Sequence, residues 1–426
     1  MLDMSMFREK SEILRKDHDK RKIPHDNIDQ VIRLDNEWKQ ARYEVDQLRK
    51  TRNESARGIA AAKKTGDSEA VDRIMNEVSS IGKNIEELSN KVEKLLEMRD
   101  SIRMSIPNIL HESVPVGEDD QKNTLHSLHG DKIDLSFKAM NHNEIIERNG
   151  WVDLPRAAKI TGSRFYFLQG DLARLEMALQ NYTADFLIQR KYTLVQPPQM
   201  MNREAYEGVT DLGDFETVMY GIEPDKFYLI ATSEHPLTAM RMDEIIEPSE
   251  LPIKLVGVSQ CFRREVGAHG LSDRGIWRVH QFTKIEQIII CKPEDSWSHH
   301  EDLLENAIEL WDSLGLHYRV VNICTGDMGT VASKKYDLEA WLPGVGEYKE
   351  VVSCSNCTDY QANRLRMRYR TSEGNSAVHT LNSTAVATSR ALVAILEQYQ
   401  TVDGEIRIPD VLKPYMSNQE FLIPLH

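Results

Sequence analysis

The stretch CFRREVGAHGLSDRGIWRVHQFTKIE, from Cys261 to Glu286, sets five Lys or Arg and three carboxylates among glycines. It reads as a hairpin, with LVGVSQCFRREV and IWRVHQFTKIEQIII as strands and GAHGLSDRG as the turn. Alternate residues of a strand face the same side. Arg263 and Glu265 therefore fall together on one strand, and Phe282, Lys284 and Glu286 on the other. These residue types suit a nucleotide: an arginine forks onto phosphate oxygens, an aromatic ring stacks on a base, and a carboxylate takes an amino group or a divalent metal. A solvated, salt-bridged hairpin would use the same residues. Glu286 weighs against that alternative, because Ile285 on one side and QIII on the other bury it, and a buried carboxylate needs a cationic partner. Neither G-x-G-x-x-G nor G-x-x-x-x-G-K-S/T occurs, so phosphate would not be held in a Rossmann or P-loop cradle.

The elements that must position these residues change character along the chain. Helical stretches, LARLEMALQNYTADFLIQR and SWSHHEDLLENAIELWDSLG, alternate with runs rich in β-branched residues: YTLVQPP, KFYLIAT, IKLVGVSQCF, WRVHQFTKIEQIIIC, YRVVNIC and YKEVVSC. Few of these runs lead directly into a crossover helix. The pattern predicts an α+β domain on a mostly antiparallel sheet with flanking helices.

From Asn27 to about Arg103 the rules differ, with no proline in the segment. Val31, Leu34, Trp38, Ala41, Val45 and Leu48 step by three and four, as do Ile74, Val78, Ile81, Ile85, Leu88, Val92 and Leu95. That spacing is the narrow seam of a coiled coil. Gly66 and Asp67 favour a turn between the runs, which predicts an antiparallel helical hairpin with arms of roughly 45–55 Å. Its outer half is basic: Arg49, Lys50, Arg52, Arg57, Lys63 and Lys64 stand against the single acid Glu54. On a chain of net charge −14, such an arm suits a nucleic-acid backbone held away from the body. A dimerisation or spacer coil, or plain solvated helix charge, is the alternative. Pro107 and Pro115 in SIPNILHESVPVGEDDQK then mark a linker, dividing the chain into a helical domain over 1–105 and the linker with the α+β domain over 106–426.

Composition closes off other classes. A chain of 426 residues, 40% hydrophobic and 28% charged, is globular with room for more than one domain. No apolar run approaches the ~20 residues of a membrane helix, and MLDMSMFREKSEILRKDHDKRK lacks a signal-peptide core. The expected compartment is the cytoplasm, with no membrane partner. Cys261, Cys291, Cys324, Cys354 and Cys357 are scattered, which predicts buried thiols rather than disulfides. Cys354 and Cys357 form a C-x-x-C without a second pair at zinc-ribbon spacing. His299-His300, after Pro293, reads as a solvated pair on a first helical turn, and His280 as a packing residue. Taken alone, Thr232 and Thr384 could be strand or cap residues, Arg390 the polar face of an apolar helix, and Asn382 the N-cap of that helix.

Several segments, in order, resemble the motifs of one family. FRREVGAHGLSDRGIWRVHQFTKIE is similar to motif 2 of the class II aminoacyl-tRNA synthetases, in the form found in seryl-tRNA synthetases. LNSTAVATSRALVAILEQYQ resembles motif 3, and RKYTLVQPPQM, with Pro198, motif 1. LIATSEHPL is similar to the serine-binding T-x-E loop, and YDLEAWLPGVGEYKEVVSCSNCTDYQANR to the segment before motif 3. MLDMSMFRE, the hairpin and GEIRIPDVLKPYM resemble the family's opening, tRNA-binding arm and close, so the likeness spans the chain. It implies a class II synthetase-type antiparallel sheet preceded by a coiled-coil arm. The implied reaction activates L-serine with ATP and Mg²⁺ and transfers it to the 3′-terminal adenosine of tRNA(Ser). The arm, through Arg49, Lys50, Arg52, Arg57, Lys63 and Lys64, would hold the long variable arm of the tRNA. Motif 1 would form a homodimer.

The resemblance also implies roles. Arg263 would bind the α-phosphate and the serine carboxylate, Glu265 the adenine amino group, and Arg390 would stack with Phe282 around adenine near the γ-phosphate, these three charged residues forming the catalytic set. Arg264, Val279, Val351 and Val352 would complete the ATP site, and Glu350 and Ser353 would hold Mg²⁺. Thr232, Ser233, Glu234, Glu286, Asn382 and Thr384, with Arg263, would shape the serine pocket. The chain departs from the family pattern at NST, where NGS is common, so the serine-contacting hydroxyl would come from Thr384. It departs again at Asn363, where arginine is common. Cys354 and Cys357 fit the ordinary segment before motif 3, so the zinc-dependent serine pocket of a divergent branch is not implied.

Overall fold

A computed structural model describes residues 1–132, 135–211, 213, 217–266 and 275–425; the turn expected over GAHGLSDRG, apart from Gly275, lies outside them. The chain forms two compact units, residues 2–107 and 108–426.

The first unit is dominated by α1 (Asp26–Thr65) and α2 (Ser68–Ser105), 40 and 38 residues long, or about 60 Å each. Gly66, in the left-handed region at φ 76°, ends α1. Asp67 starts α2 by accepting the Ala70 N–H at 2.9 Å. Leu34, Ala41 and Leu95 bury with Trp38 and Val92, and Val45, Ile81 and Ile85 with Leu48 and Leu88. Among described residues none between 46 and 80 is fully buried. The outer half is therefore held by helix propensity and a thin seam. At the root, Asp35 is only 2% exposed and takes Arg8 and Arg99 at 2.8 Å and Lys39 at 2.9 Å.

The second unit is built on an eight-stranded sheet. Its strands are β1 (Thr124–His129), β2 (Thr193–Val195), β3 (Ile253–Phe262), β4 (Gln281–Cys291), β5 (Tyr318–Asn322), β6 (Lys334–Leu342), β7 (Glu347–Asn356) and β8 (His379–Ala387). They pair in the order β1-β5-β6-β7-β8-β4-β3-β2. Every pair is antiparallel except the edge strand β2, which joins β3 in parallel. The α+β architecture is as expected, but β1, β6 and β8 are strands that β-branched composition does not mark. The motif 2 hairpin is also shorter than its pattern suggests. β3 ends at Phe262 and β4 begins at Gln281, and Glu265 turns to φ +46° instead of continuing the strand.

Helices α3 (Gly170–Gln189), α4 (Ser296–Ser313) and α5 (Thr388–Gln398) cover one sheet face. Leu172, Leu175, Leu303, Trp311 and Leu392 pack there on Ile285 and Ile289 of β4. Across the sheet, Ile288 and Ile290 pack with Tyr206, Leu237 and Leu365. Two expectations fail here. His300 is fully buried, because α4 lies flat on the sheet and carries its Nε2 to within 3.2 Å of the Cys354 carbonyl. Asn382 lies inside β8 and not at a helix start; the N-cap of α5 is Ala387. All five cysteines are buried and unpaired. No helix among the described residues is long and apolar enough to cross a membrane.

Candidate active-site cleft

Alternation along β4 decides what the cleft receives. Ile285, Gln287 and Ile289 face the helices, which turns Lys284 and Glu286 to the other side. Two bulges re-aim the neighbouring strands. In β8 the register slips at Ala385, so that Thr384 stands opposite Glu286 and Asn382 opposite Ile288. In β7 it slips at Val351, between Val352 and Glu350. The slip lets Val352 enter the helix-side core while Glu350 and Ser353 both face the cleft.

The cleft has two compartments that share Arg263, Lys284, Glu350, Ser353 and Thr384. In the first, Arg390 Nη1 donates to the Glu350 carbonyl at 2.8 Å and lies 3.5 Å from its carboxylate. The same guanidinium sits 5.4 Å from the Trp277 ring. Arg263 Nε donates to the Ala231 carbonyl at 3.2 Å, with its guanidinium 5.4 Å over Phe282. Arg278 pairs with the Glu265 carboxylate at 2.9 Å. In the second compartment, Lys284 Nζ lies 2.6 Å from Glu286 Oε2 and donates to Thr232 Oγ1 at 3.2 Å. Glu234 Oε1 accepts from Gln361 Nε2 at 3.1 Å, and Asn382 Nδ2 lies 3.6 Å from Cys357 Sγ.

Charge in the cleft is divided. Burial pushes the Glu286 carboxyl up, against the pull of Lys284 and Arg263. Burial also pushes Glu234 up to about 7, with Glu286 adding to the effect. Behind Ser353, burial raises Asp337 to about 7 against the opposing Lys335 at 3.4 Å. Glu350 behaves differently. Burial alone would raise it, yet Arg390, Lys335, Arg263 and Lys284 together hold its half-exposed carboxylate below the usual range. The result is an acidic floor short of positive charge beside a cationic mouth. The floor suits an ammonium group and the mouth suits phosphate and carboxylate.

The family model of the seryl-tRNA synthetase N-terminal domain matches residues 1–110, and that of the tRNA synthetase class II core domain (G, H, P, S and T) matches 218–399. The chain is 52% identical to the serine–tRNA ligase of Methanocorpusculum labreanum, over 99% of this chain and 100% of that protein. The chain belongs to the seryl-tRNA synthetase family. Its fold matches the crystal structure of seryl-tRNA synthetase from Pyrococcus horikoshii complexed with ATP at a TM-score of 0.93 and 43% identity, over 100% of both chains. The cytoplasmic serine–tRNA ligase of Naegleria fowleri in complex with AMP matches at 0.88 and 36%, over 100% of this chain and 99% of that one.

Of the residues that the seryl-tRNA synthetase motifs single out, Glu265, Val279, Phe282, Val351 and Arg390 line the first compartment. Thr232, Glu234, Glu286 and Asn382 line the second, while Arg263, Glu350, Ser353 and Thr384 serve both. Three do not line either. Arg264 donates its backbone N–H to Val218 at 2.8 Å. The Val352 side chain is in the helix-side core, so only its backbone could meet a ligand. Ser233 is buried beneath the pocket with Oγ 3.4 Å from the Gly257 carbonyl. Arg49, Lys50, Arg52, Arg57, Lys63 and Lys64 are all exposed on α1, in the other unit. Sequence reasoning missed Trp277, Lys335, Asp337 and Gln361. Lys335 and Asp337 stand two apart in KKYD, a same-face charge pair that would have marked them had β6 been read as a strand. Gln361 carries no local signal.

Proposed function

We infer that the chain is a serine–tRNA ligase, joining L-serine and ATP into seryl-adenylate with release of pyrophosphate and then passing the seryl group to the 3′-terminal adenosine of tRNA(Ser). The observation that carries this reading is Arg263, a guanidinium common to both compartments. An α-phosphate and a serine carboxylate repel each other unless a cation stands between them. In the first step a serine carboxylate oxygen attacks the α-phosphorus, the bond to the bridging β-phosphate oxygen breaks, and pyrophosphate leaves with the charge. Positioning and electrostatics supply the catalysis, with no covalent bond to the protein.

Glu265 would take the adenine amino group, with Phe282 and Arg390 flanking the ring and Val279, Val351 and the Val352 backbone along its edge. Glu350 and Ser353 offer a half-exposed carboxylate and a hydroxyl side by side, the hard oxygen donors that Mg²⁺ takes. The ion would neutralise charge on the ATP phosphates. The serine ammonium and hydroxyl would pair with Glu234, Glu286, Thr232, Asn382 and Thr384. Alanine or glycine would leave those groups unpaired, and the extra methyl of threonine would meet that of Thr384.

The helical arm would hold the long variable arm of tRNA(Ser) by backbone charge and shape through its exposed basic residues. We also read the protein as a cytoplasmic homodimer joined through motif 1. Met177, Ile188 and Leu194, in α3 and the edge strand β2, are 62%, 44% and 45% exposed, an apolar run that a second copy would cover. The test is charging of unfractionated tRNA with ATP and Mg²⁺, offering serine, threonine, alanine, glycine and cysteine separately. Charging by serine alone is expected. Pyrophosphate exchange without charging would point to a ligase acting on another acceptor, and no exchange would overturn the reading.

A further inference from the structure

The two legs of motif 2 part company just where the chemistry lies. β3 and β4 pair as far as Phe262 and Gln281. One residue further, the Arg263 N–H donates to the His280 carbonyl at 2.9 Å, and His280 Nδ1 lies 2.7 Å from the Arg263 carbonyl. The strands have then ended, yet Arg263 and Glu265 must be held to a fraction of an ångström to act. A third segment, Arg164–Phe165, takes over. Arg164 is itself in the left-handed region at φ 65°. Its carbonyl accepts the His280 N–H at 3.0 Å, while its Nη1 donates to the Glu265 carbonyl. The Phe165 ring packs 5.2 Å from the His280 ring. One residue thus ties both legs, and two of the few non-glycine residues at positive φ, Arg164 and Glu265, meet each other. Such conformations persist only where the surroundings over-determine them.

We propose that Arg164 is a positioning residue for ATP recognition, clamping both legs of motif 2 so that the Glu265 carboxylate and the Arg263 guanidinium point into the cleft. Arg278 holds the Glu265 carboxylate at 2.9 Å, and Arg164 holds its main chain. Removing Arg164 frees the left-handed residue that reads adenine, so base discrimination relaxes along with ATP binding. Arg164 lies outside both matched family regions, 1–110 and 218–399. The proposal rests on the serine–tRNA ligase reading.

The experiment is serine-dependent pyrophosphate exchange by the full chain and its Arg164→Ala and Arg164→Lys variants, with ATP and with GTP, alongside melting curves. Arg164→Ala is expected to lower kcat/KM for ATP by about 10- to 100-fold, mainly through KM, as for loss of one charge-assisted hydrogen bond. Its preference for ATP over GTP falls by about tenfold, the KM for serine moves by less than about threefold, and Arg164→Lys recovers part of the loss. An ATP preference unchanged in both variants, or equal losses for ATP and GTP that track a lowered melting temperature, would overturn the proposal. A wild-type chain with no serine-dependent exchange would overturn the ligase reading beneath it instead.

Discussion

Glu234→Gln should make the empty protein more stable and the enzyme far poorer, with pH deciding when the first effect shows. Burial, and secondarily Glu286, moves this carboxyl from 4.5 to about 7. A carboxyl whose pKa is higher folded than unfolded holds extra protons in the folded state, so stability falls as pH rises between the two values. The penalty is absent below about 4.5 and complete above about 7. At about 1.4 kcal/mol per unit the full shift corresponds to about 3 kcal/mol, and solvent in the open cleft brings the expected cost to about 1–3 kcal/mol. Glutamine keeps the oxygen that accepts from Gln361 at 3.1 Å but never ionises. Urea unfolding should therefore find the two proteins within about 0.5 kcal/mol near about pH 4, and the variant ahead by about 1–3 kcal/mol near about pH 8. Serine-dependent exchange should move oppositely, losing about 100-fold in kcat/KM for serine, because an uncharged amide faces the ammonium. A stability difference equal at both pH values, or a serine kcat/KM within about fivefold of wild type, would refute this account of a pocket whose ionisation cost is relieved by the substrate.

Three other perturbations separate the parts of the molecule. A Cβ on Gly257, opposite Glu286, would lie 2.5 Å from Leu237 Cδ1 and 2.9 Å from Ser233 Cβ. Gly257→Ala should cost about 1–3 kcal/mol by overpacking and raise the KM for serine while leaving that for ATP, as exchange kinetics would report. Asp35→Ala removes the carboxylate shared by Arg8, Lys39 and Arg99, leaving the buried Arg99 with Asp100 alone, at 2.9 Å, among the described carboxylates. Circular dichroism under urea should show the helical unit weakened by about 1–3 kcal/mol, with charging impaired and serine-dependent exchange retained. Although burial opposes ionisation, Arg8, Lys39 and Arg99 hold the wild-type Asp35 below the ordinary carboxylate range. Its contribution should therefore be complete above the ordinary carboxylate range and be lost progressively as the pH falls below it, because the unfolded chain takes up the proton first. Replacing Arg49, Lys50, Arg52 and Arg57 together by alanine should reduce charging but not exchange. It should also flatten the salt dependence of tRNA binding, by about 0.7–0.9 in log–log slope for each phosphate the arm no longer neutralises.

The fold was legible wherever burial was one-sided and apolar. The three-four stepping of Val31 to Leu48 and of Ile74 to Leu95 marks the hairpin, and Gly66 with Asp67 marks its turn. The helices run longer than the apolar seam foretells because SARGIAAAKK is helical by propensity, without burying a face. β3 and β4 announce themselves by Val and Ile. β6, KKYDLEAWL, and β8, HTLNSTAVA, do not, because part of each faces polar surroundings. Strand propensity describes packing on an apolar surface, so a strand that floors a polar cleft resembles a loop. Asn382 invites an N-cap assignment for the same reason. His300 fails differently, since its partner, the Cys354 carbonyl, is 54 residues away and leaves no local trace.

The cleft itself was legible only in part, and the illegible part has a common cause. Alternation along β4 does put Phe282, Lys284 and Glu286 on the cleft side. Arg263 and Glu265 reach the same cleft, but not by that rule, because the strand has stopped and the backbone reverses to φ +46° at Glu265. The slips at Ala385 and Val351 likewise break the period that would otherwise assign faces to Thr384 and Glu350. Each departure is a single residue, so it has no periodicity to detect, and each brings a polar group to one space that regular elements would have sent elsewhere. Glu286 shows the consequence. Lys284 approaches its Oε2 to 2.6 Å, yet among the described residues no well-aligned hydrogen bond reaches that buried oxygen. Folding alone would favour an apolar residue there, since an incompletely satisfied buried carboxylate costs stability. A carboxylate kept at that cost, two residues from a lysine and facing an open compartment, fits the proposed role of Glu286 in pairing with the serine ammonium.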